Sequence, residues 1–334
     1  MKKIIKTHLN SEWIIGITMM IVFLVMPAFL SAYQISTNTS FLFTIIMGFS
    51  IVLIWGYCGT FSFGQAAFYG LGGYAYGILA GNFGNHALTP LALMISLVLV
   101  TVFALILGYF MFYGGVNDVF VGIITLCVTL ALNAYFGQTA GDQYKIGSVK
   151  LGGYNGMVGI PTLSIGDYKL KGTALYFISV IITFIIAFVL LYITHTKAGY
   201  TMFAIRENRD RSELFGYNVP FIQTVVFGIG AAISALAGIL YSIWGNYIDP
   251  SAMSMSRSTI PVILVATAGK KSPIGTFIFG FLYLLLSNQF ASTGNKYADI
   301  ILGVLLVVIV LFIPKGVFKA IFDYIDSKVF KKEM

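Results

Sequence analysis

The amino-acid sequence predicts an all-α polytopic membrane protein of about ten transmembrane helices, within a range of roughly eight to ten, with both termini cytoplasmic. Three observations carry this. Hydrophobic residues are 58% of the 334 residues and charged residues only 10%, whereas a soluble domain carries about 25% charged residues. Apolar runs near the ~20 residues needed to cross a bilayer recur along the whole chain. The basic residues fall unevenly between alternate connections, as the positive-inside rule requires.

In chain order, the spanning candidates are Trp13–Leu30, Phe41–Cys58, Leu88–Phe112, Val119–Phe136, Thr173–Thr194, Phe221–Ile243, Ile274–Phe290 and Ala298–Ile313. Phe63–Ala80 and Thr259–Ala268 are glycine-rich or short, and read as full spans or as half-helices ending inside the bilayer. Lys2, Lys3 and Lys6 before the first run resemble a signal peptide, but the run is long for one, and an uncleaved first helix is expected. With ten crossings and a cytoplasmic N-terminus, the inner connections hold Lys2, Lys3, Lys6, Lys197, Arg206, Arg209, Arg211, Lys270, Lys271 and the C-terminal lysines. The outer ones hold Lys145, Lys150, Lys169, Lys171, Arg257 and Lys296. The chain reads as one transmembrane domain over 1–334, with an outer loop at about 137–172 and a cytoplasmic segment at about 197–218. Neither loop is large enough to hold a core of its own. The net charge of +8 then marks cytoplasmic loops against membrane lipid, not nucleic acid.

The ionisable groups exclude whole classes of function. All 12 acids and the three histidines lie in loops or at helix ends, so no side chain is placed for an intramembrane proton relay. Ala268-Gly269-Lys270-Lys271-Ser272 lacks the upstream glycine of a phosphate loop, and Lys271 stands where Ser or Thr belongs. No catalytic pair and no zinc-ligand set is present, so the chain is not expected to be an enzyme or to hold a metal. Cys58 and Cys127 sit in apolar runs and read as buried small hydrophobes.

Two segments stand out. Gly56–Tyr74 is glycine-interrupted at membrane depth, where irregular backbone is tolerated only inside protein or along a watery cavity. Ser62 and Gln65 within it are candidate solute contacts, and Asn133 and Thr259 join them as polar residues at membrane depth. Gly73, Gly77 and Gly81 form a small-residue stripe expected to serve packing. Ala204–Gly216 reads as a single short helix of alternating charge, stopped by Gly216 and suited to lodge in a groove on a cytoplasmic partner.

These segments resemble the branched-chain amino acid transporter permease family, in particular the second, M-type membrane subunit also used by bacterial urea importers. Ser62-Phe63-Gly64-Gln65-Ala66-Ala67-Phe68-Tyr69, followed by Gly72-Gly73-Tyr74, is similar to the family's glycine-rich motif and brings Tyr74 into the candidate pathway. Ala204-Ile205-Arg206-Glu207-Asn208, then Phe215-Gly216-Tyr217-Asn218, is similar to its cytoplasmic segment. Gly153–Pro161 and Leu311–Gly316 resemble its outer turn and its C-terminal motif. The chain departs from the family at 268–275, where a Gly-Gly-x-Gly turn is usual, and at 113–120, which lacks a basic residue.

The resemblance implies the permease subunit of an ATP-driven importer in the bacterial cytoplasmic membrane. It would pair with a second permease subunit in a heterodimer, two ATPase subunits and an extracytoplasmic solute-binding protein. ATP would be bound by the partners, with no cofactor on this chain. ATPase coupling would fall to Ala204, Ile205, Arg206, Glu207, Asn208, Arg209, Arg211, Glu213 and Gly216. A branched-chain amino acid, urea or a short amide all fit as solute. A passive channel is the alternative, although a channel has no evident use for an ordered, charged cytoplasmic helix.

Overall fold

In lipid every backbone polar group must be satisfied within the chain, so apolar runs of spanning length fold as helices. The computed structural model describes residues 11–166, 168–293, 303–304, 311–312 and 316–329. Its helices are α1 (Ser11–Val25), α2 (Ala32–Ile51), α3 (Gln65–Phe83), α4 (Thr89–Tyr113), α5 (Asp118–Gly137) and α6 (Thr173–Ile193). There follow α7 (Lys197–Glu207), α8 (Arg209–Leu214), α9 (Val219–Gly245), α10 (Met255–Ala268), α11 (Pro273–Ser292) and α12 (Val317–Val329). Local chemistry sets several boundaries. Ser31 and Gln34 form a capping box that starts α2, Asn117 caps α5, and Gly84 ends α3 in the left-handed region.

Among the described residues, seven helices are long and apolar enough to cross a membrane. They are α1, α2, α4, α5, α6, α9 and α11, with short extensions of the first three. The two weak stretches resolve differently. Phe63–Ala80 becomes the full-length but less apolar α3, whereas α10 has only 14 residues. Ala298–Ile313 lies outside the described residues.

Helix α9 is the centre of the bundle, packed on α3, α4 and α2. Its closest crossing is with α3. A Cβ on Gly72 would stand 2.5 Å from the Ala235 carbonyl oxygen, and one on Gly238 would strike the carbonyl of Tyr69. The stripe Gly73, Gly77, Gly81 does serve packing, but against connecting loops as well as against α9, whose Gly238 carbonyl lies next to Gly73. Gly73 faces Ile248, Gly77 faces Met157 and Ile160, and Gly81 faces Val149. Gly73 makes a seat on α3 for the 246–254 connection, and Gly77 and Gly81 make one for the long 138–172 loop. That loop folds through hairpins β1–β2 (Lys145–Ile146 with Val149–Lys150) and β4–β5 (Ser164–Ile165 with Tyr168–Lys169). Its β3 (Met157–Val158) pairs antiparallel with β6 (Tyr247–Ile248), and so stitches the loop to the 246–254 connection.

Helix α1 is part of the bundle. Phe23 meets Phe184, Phe277 and Phe281 edge-on, and the Tyr176 hydroxyl donates to the Phe23 carbonyl at 2.9 Å. Its first turn holds Glu12, which the structure buries where the sequence suggested an ordinary helix end. The carboxylate is 3.4 Å from Lys319 Nζ of α12, and Lys319 also reaches Asp323 at 3.0 Å. The Ser11 amide donates to Asp326 at 2.8 Å, completing the join of α12 to α1. Removing one member of a buried ion pair is costly because the other charge stays behind. Lys319→Met is therefore expected to destabilise the detergent-purified protein by about 1–3 kcal/mol, less than a fully buried pair because Lys319 is partly solvated. The double variant Glu12→Gln/Lys319→Met should recover most of that loss, read by thermal unfolding. Equal losses in single and double variants would show that the pair contributes nothing.

Candidate functional site

Helix α2 does not end cleanly. It widens into a π-helical turn, Val52–Tyr57, and the chain then runs without regular structure to Gly64. This first break is the glycine-interrupted segment of the sequence, and its freed backbone groups need partners. Helix α5 supplies them with residues spaced three or four apart. A Cβ on Gly122 would lie 3.1 Å from the Phe61 ring. The Thr125 hydroxyl accepts from the Phe63 amide at 3.2 Å, and Thr129 points at the Phe63 carbonyl at 3.5 Å. One and two turns on, Asn133 Nδ2 donates to the Pro250 carbonyl at 2.6 Å. Pro250 belongs to a second irregular stretch, 246–254, leading into the short α10. One polar stripe on one helix thus holds both breaks.

Ser62 is buried at the first break, and its hydroxyl accepts from the Gly64 amide at 3.1 Å, shaping the turn. Gln65 opens α3 in the bundle interior. Its side-chain oxygen accepts from Ser50 at 3.0 Å and its carbonyl from Ser234 at 2.8 Å, while Nε2 has no hydrogen-bond partner. Tyr74 lies further along α3, stacked on Phe136 at 4.1 Å with its hydroxyl unpartnered. Thr259 stands apart on a partly exposed face of α10, its hydroxyl donating back to Met255 at 2.8 Å. Ser62 and Gln65 therefore share the first break, Asn133 anchors the second, and Tyr74 lies beside α5.

Sequence reasoning missed Thr125 and Thr129, although the pattern Thr125-x-x-x-Thr129-x-x-x-Asn133 in an apolar run was there to be read. It also took Arg257 for an outer-loop residue. Arg257 lies in the first turn of α10, its guanidinium 5.6 Å from the Tyr69 ring centroid and 5.5 Å from that of Tyr241. Beside the first break, at the start of α5, an apolar groove of about 500 Å³ opens between Trp55, Phe61, Phe63, Val119 and Ile123.

The α7–α8 end carries the second candidate site. The expected single helix is two. Asn208 adopts extended backbone (φ −159°, ψ 107°) and its side chain accepts from the Arg211 amide at 2.8 Å, capping α8. An asparagine placed this way ends one helix and starts the next. Gly216, at φ +86°, lies beyond α8, whose last residue is Leu214. The candidate residues then divide by direction. Ile205 is buried, and Arg206 turns inward to donate to the Gly56 carbonyl at 2.5 Å. Gly59, at φ +84°, lies directly against the Arg206 side chain. Burial lowers the Arg206 pKa from its ordinary value. Ala204, Glu207, Asn208, Arg211, Glu213 and Gly216 are exposed, and Arg209 is half-buried near Glu213 at 3.9 Å. At the tip, Leu214 and Phe215 are 87% and 83% exposed. The 268–275 turn joins this end, with Lys270 over the Trp55 ring at 4.0 Å and Lys271 4.0 Å from Glu207. Burial, and then the Arg206 charge, lower the pKa of both lysines.

Comparison with known proteins places this geometry. A family model described as the branched-chain amino acid transport system / permease component matches residues 34–310. The high-affinity branched-chain amino acid transport system permease protein LivM of Escherichia coli K12 is 21% identical over 314 residues, covering 87% of this chain and 71% of LivM. BraD of Pseudomonas aeruginosa, a permease protein of the same description, is 28% identical over 169 residues, covering 47% of this chain and 54% of BraD. LivH of Escherichia coli K12 is 26% identical over 140 residues, covering 41% of this chain and 45% of LivH. No solved structure matches the chain.

Proposed function

Because this chain belongs to the branched-chain amino acid transport permease family, we propose that it is the membrane-spanning subunit of an ATP-driven importer for a small zwitterionic solute, a branched-chain amino acid. The observation that carries the reading is the family match across residues 34–310. The relatives are permease proteins of branched-chain amino acid transport systems, which favours an amino acid over urea and a driven permease over a passive channel.

The basic α7–α8 end faces the cytoplasm, and the 138–172 loop faces outward in a bacterial cytoplasmic membrane. A second permease subunit completes the pathway, a pairing supported by likeness to both LivM and LivH. A solute-loaded binding protein docks on the outer loop. Two ATPase subunits sit beneath α7–α8 and supply the ATP site, so this chain needs no cofactor of its own. ATP-driven closure moves α8 through its exposed tip. The Arg206–Gly56 hydrogen bond hands that movement to the π-turn and the first break, which slides against the polar stripe of α5. Binding ATP supplies the differential free energy between outward- and inward-open states, and this chain transmits it.

The test is purification of the tagged permease from native membranes in mild detergent, followed by reconstitution of what co-purifies. An ATPase and a second permease should be recovered, and vesicles loaded with ATP should accumulate leucine, isoleucine or valine when the binding protein is present. Recovery of the permease alone, with equal solute flux in ATP-free vesicles, would sink the reading.

A further inference from the structure

Arg257 has no carboxylate within ion-pair distance among the described residues, although it lies inside the bundle. Tyr241, one of its two ring neighbours, is four residues before the end of α9, about 6 Å short of the outer end. Tyr69, the other, is one turn beyond Gln65 on α3. An unpaired arginine at membrane depth is costly. Such residues face a bundle interior or a watery path. Around this cation the surroundings are unsatisfied. The Tyr69 hydroxyl is fully buried and has no hydrogen-bond partner, and neither has Ser258 Oγ, the next residue along α10. Ser256, on the other side of Arg257, is exposed. The guanidinium is also in the first turn of α10, where free backbone amides favour negative charge. A cation over aromatic faces keeps its edge N–H groups free, and those groups match a carboxylate.

We propose that Arg257, over the Tyr69 and Tyr241 rings, is a carboxylate anchor in the outer half of the pathway, with the unpartnered Tyr69 hydroxyl as a second donor. This rests on the importer reading above and sharpens it: the solute carries a carboxylate, which urea and short amides lack. The anchor receives the solute from the binding protein and orients it ahead of the first break. Gln65, one turn deeper on α3 and with its Nε2 unpartnered, meets the remaining polar groups.

The test uses the complete transporter in ATP-loaded vesicles, with wild-type binding protein and labelled leucine. Arg257→Gln should lower leucine uptake about tenfold or more, the worth of a charge-assisted hydrogen bond, while binding-protein-stimulated ATP hydrolysis persists. Arg257→Lys should restore part of the uptake, and Tyr69→Phe, which keeps the ring, should lower it about threefold or more. Wild-type uptake in Arg257→Gln overturns the anchor and leaves the importer standing. If uptake and hydrolysis fall together and Arg257→Lys restores neither, Arg257 merely holds α3, α9 and α10 together, which also overturns it. Should Arg257→Gln fail to assemble, Tyr69→Phe decides, and unchanged uptake in that variant overturns the proposal. If the wild-type transporter accumulates urea and not leucine, the amino-acid reading fails along with the anchor.

Discussion

Replacing Leu214 and Phe215 together by aspartate is expected to abolish recovery of an ATPase with the tagged permease and to bring ATP-driven uptake to background. The two side chains are the most exposed apolar groups of the α7–α8 end, and none of the described residues covers them. Exposed apolar groups on an ordered element mark a contact, and a buried aromatic anchor is worth about 2–4 kcal/mol at an interface. Two lost anchors, each replaced by a charge that must be desolvated, lower affinity by about a thousandfold or more. The tip is held in place by the Asn208 cap and by the turn at Gly216, so the loss concerns contact and not local folding. Alanine at the exposed Arg211 should cost less than about 1 kcal/mol, because solvated charges contribute little. Full ATPase recovery with the double aspartate variant, measured by quantitative mass spectrometry of the complex, would remove the tip from the interface.

Arg206→Ala is expected to behave in the opposite way: the ATPase stays bound and hydrolyses ATP, while solute uptake falls about tenfold to a hundredfold. The side chain points away from the exposed face and bonds the Gly56 carbonyl, an acceptor left over where α2 widens and ends. A hydrogen bond from a charged donor is worth about 1.5–3 kcal/mol. Its loss also empties the space against Gly59. Movement of α8 would then no longer reach the first break. Arg206→Lys, which keeps the charge without the planar fork, should fall between. Measuring hydrolysis and uptake on the same vesicles separates the outcomes. Joint loss of ATPase binding and uptake would return Arg206 to the docking surface, and unchanged uptake would deny it any part in transmission.

That split within Ala204–Gly216 shows what a sequence can and cannot convey. The segment and its charge were legible because a run of Arg, Glu and Asp cannot lie in lipid. The inward turn of Arg206 was not, because its partner is a backbone carbonyl some 150 positions earlier, left free only by the π-turn. The break at Asn208 was in principle readable from cap chemistry, yet the mixed charge on both sides read as continuous helix. Long apolar runs such as Thr173–Thr194 announced themselves as helices, and the glycine interruption at Gly56–Gly64 announced irregular backbone. What the glycine stripe packs against was hidden, since a small-residue stripe reads the same whether a helix or a loop sits upon it. Arg257 was misplaced because a charge beside Ser and Met looks like a loop when the rings beneath it come from α3 and α9.

The pairing of Met157–Val158 with Tyr247–Ile248 sets a constraint on biogenesis. The two strands are separated by about 90 residues, including α6 and all of α9. At ribosomal rates of about 5–20 residues per second, residues 157–158 are made roughly 5–20 seconds before their partners. Throughout that interval the 138–172 loop presents an unpaired strand edge. Proteases and chaperones therefore meet this chain first as a half-built loop, and its survival depends on how fast α9 is inserted.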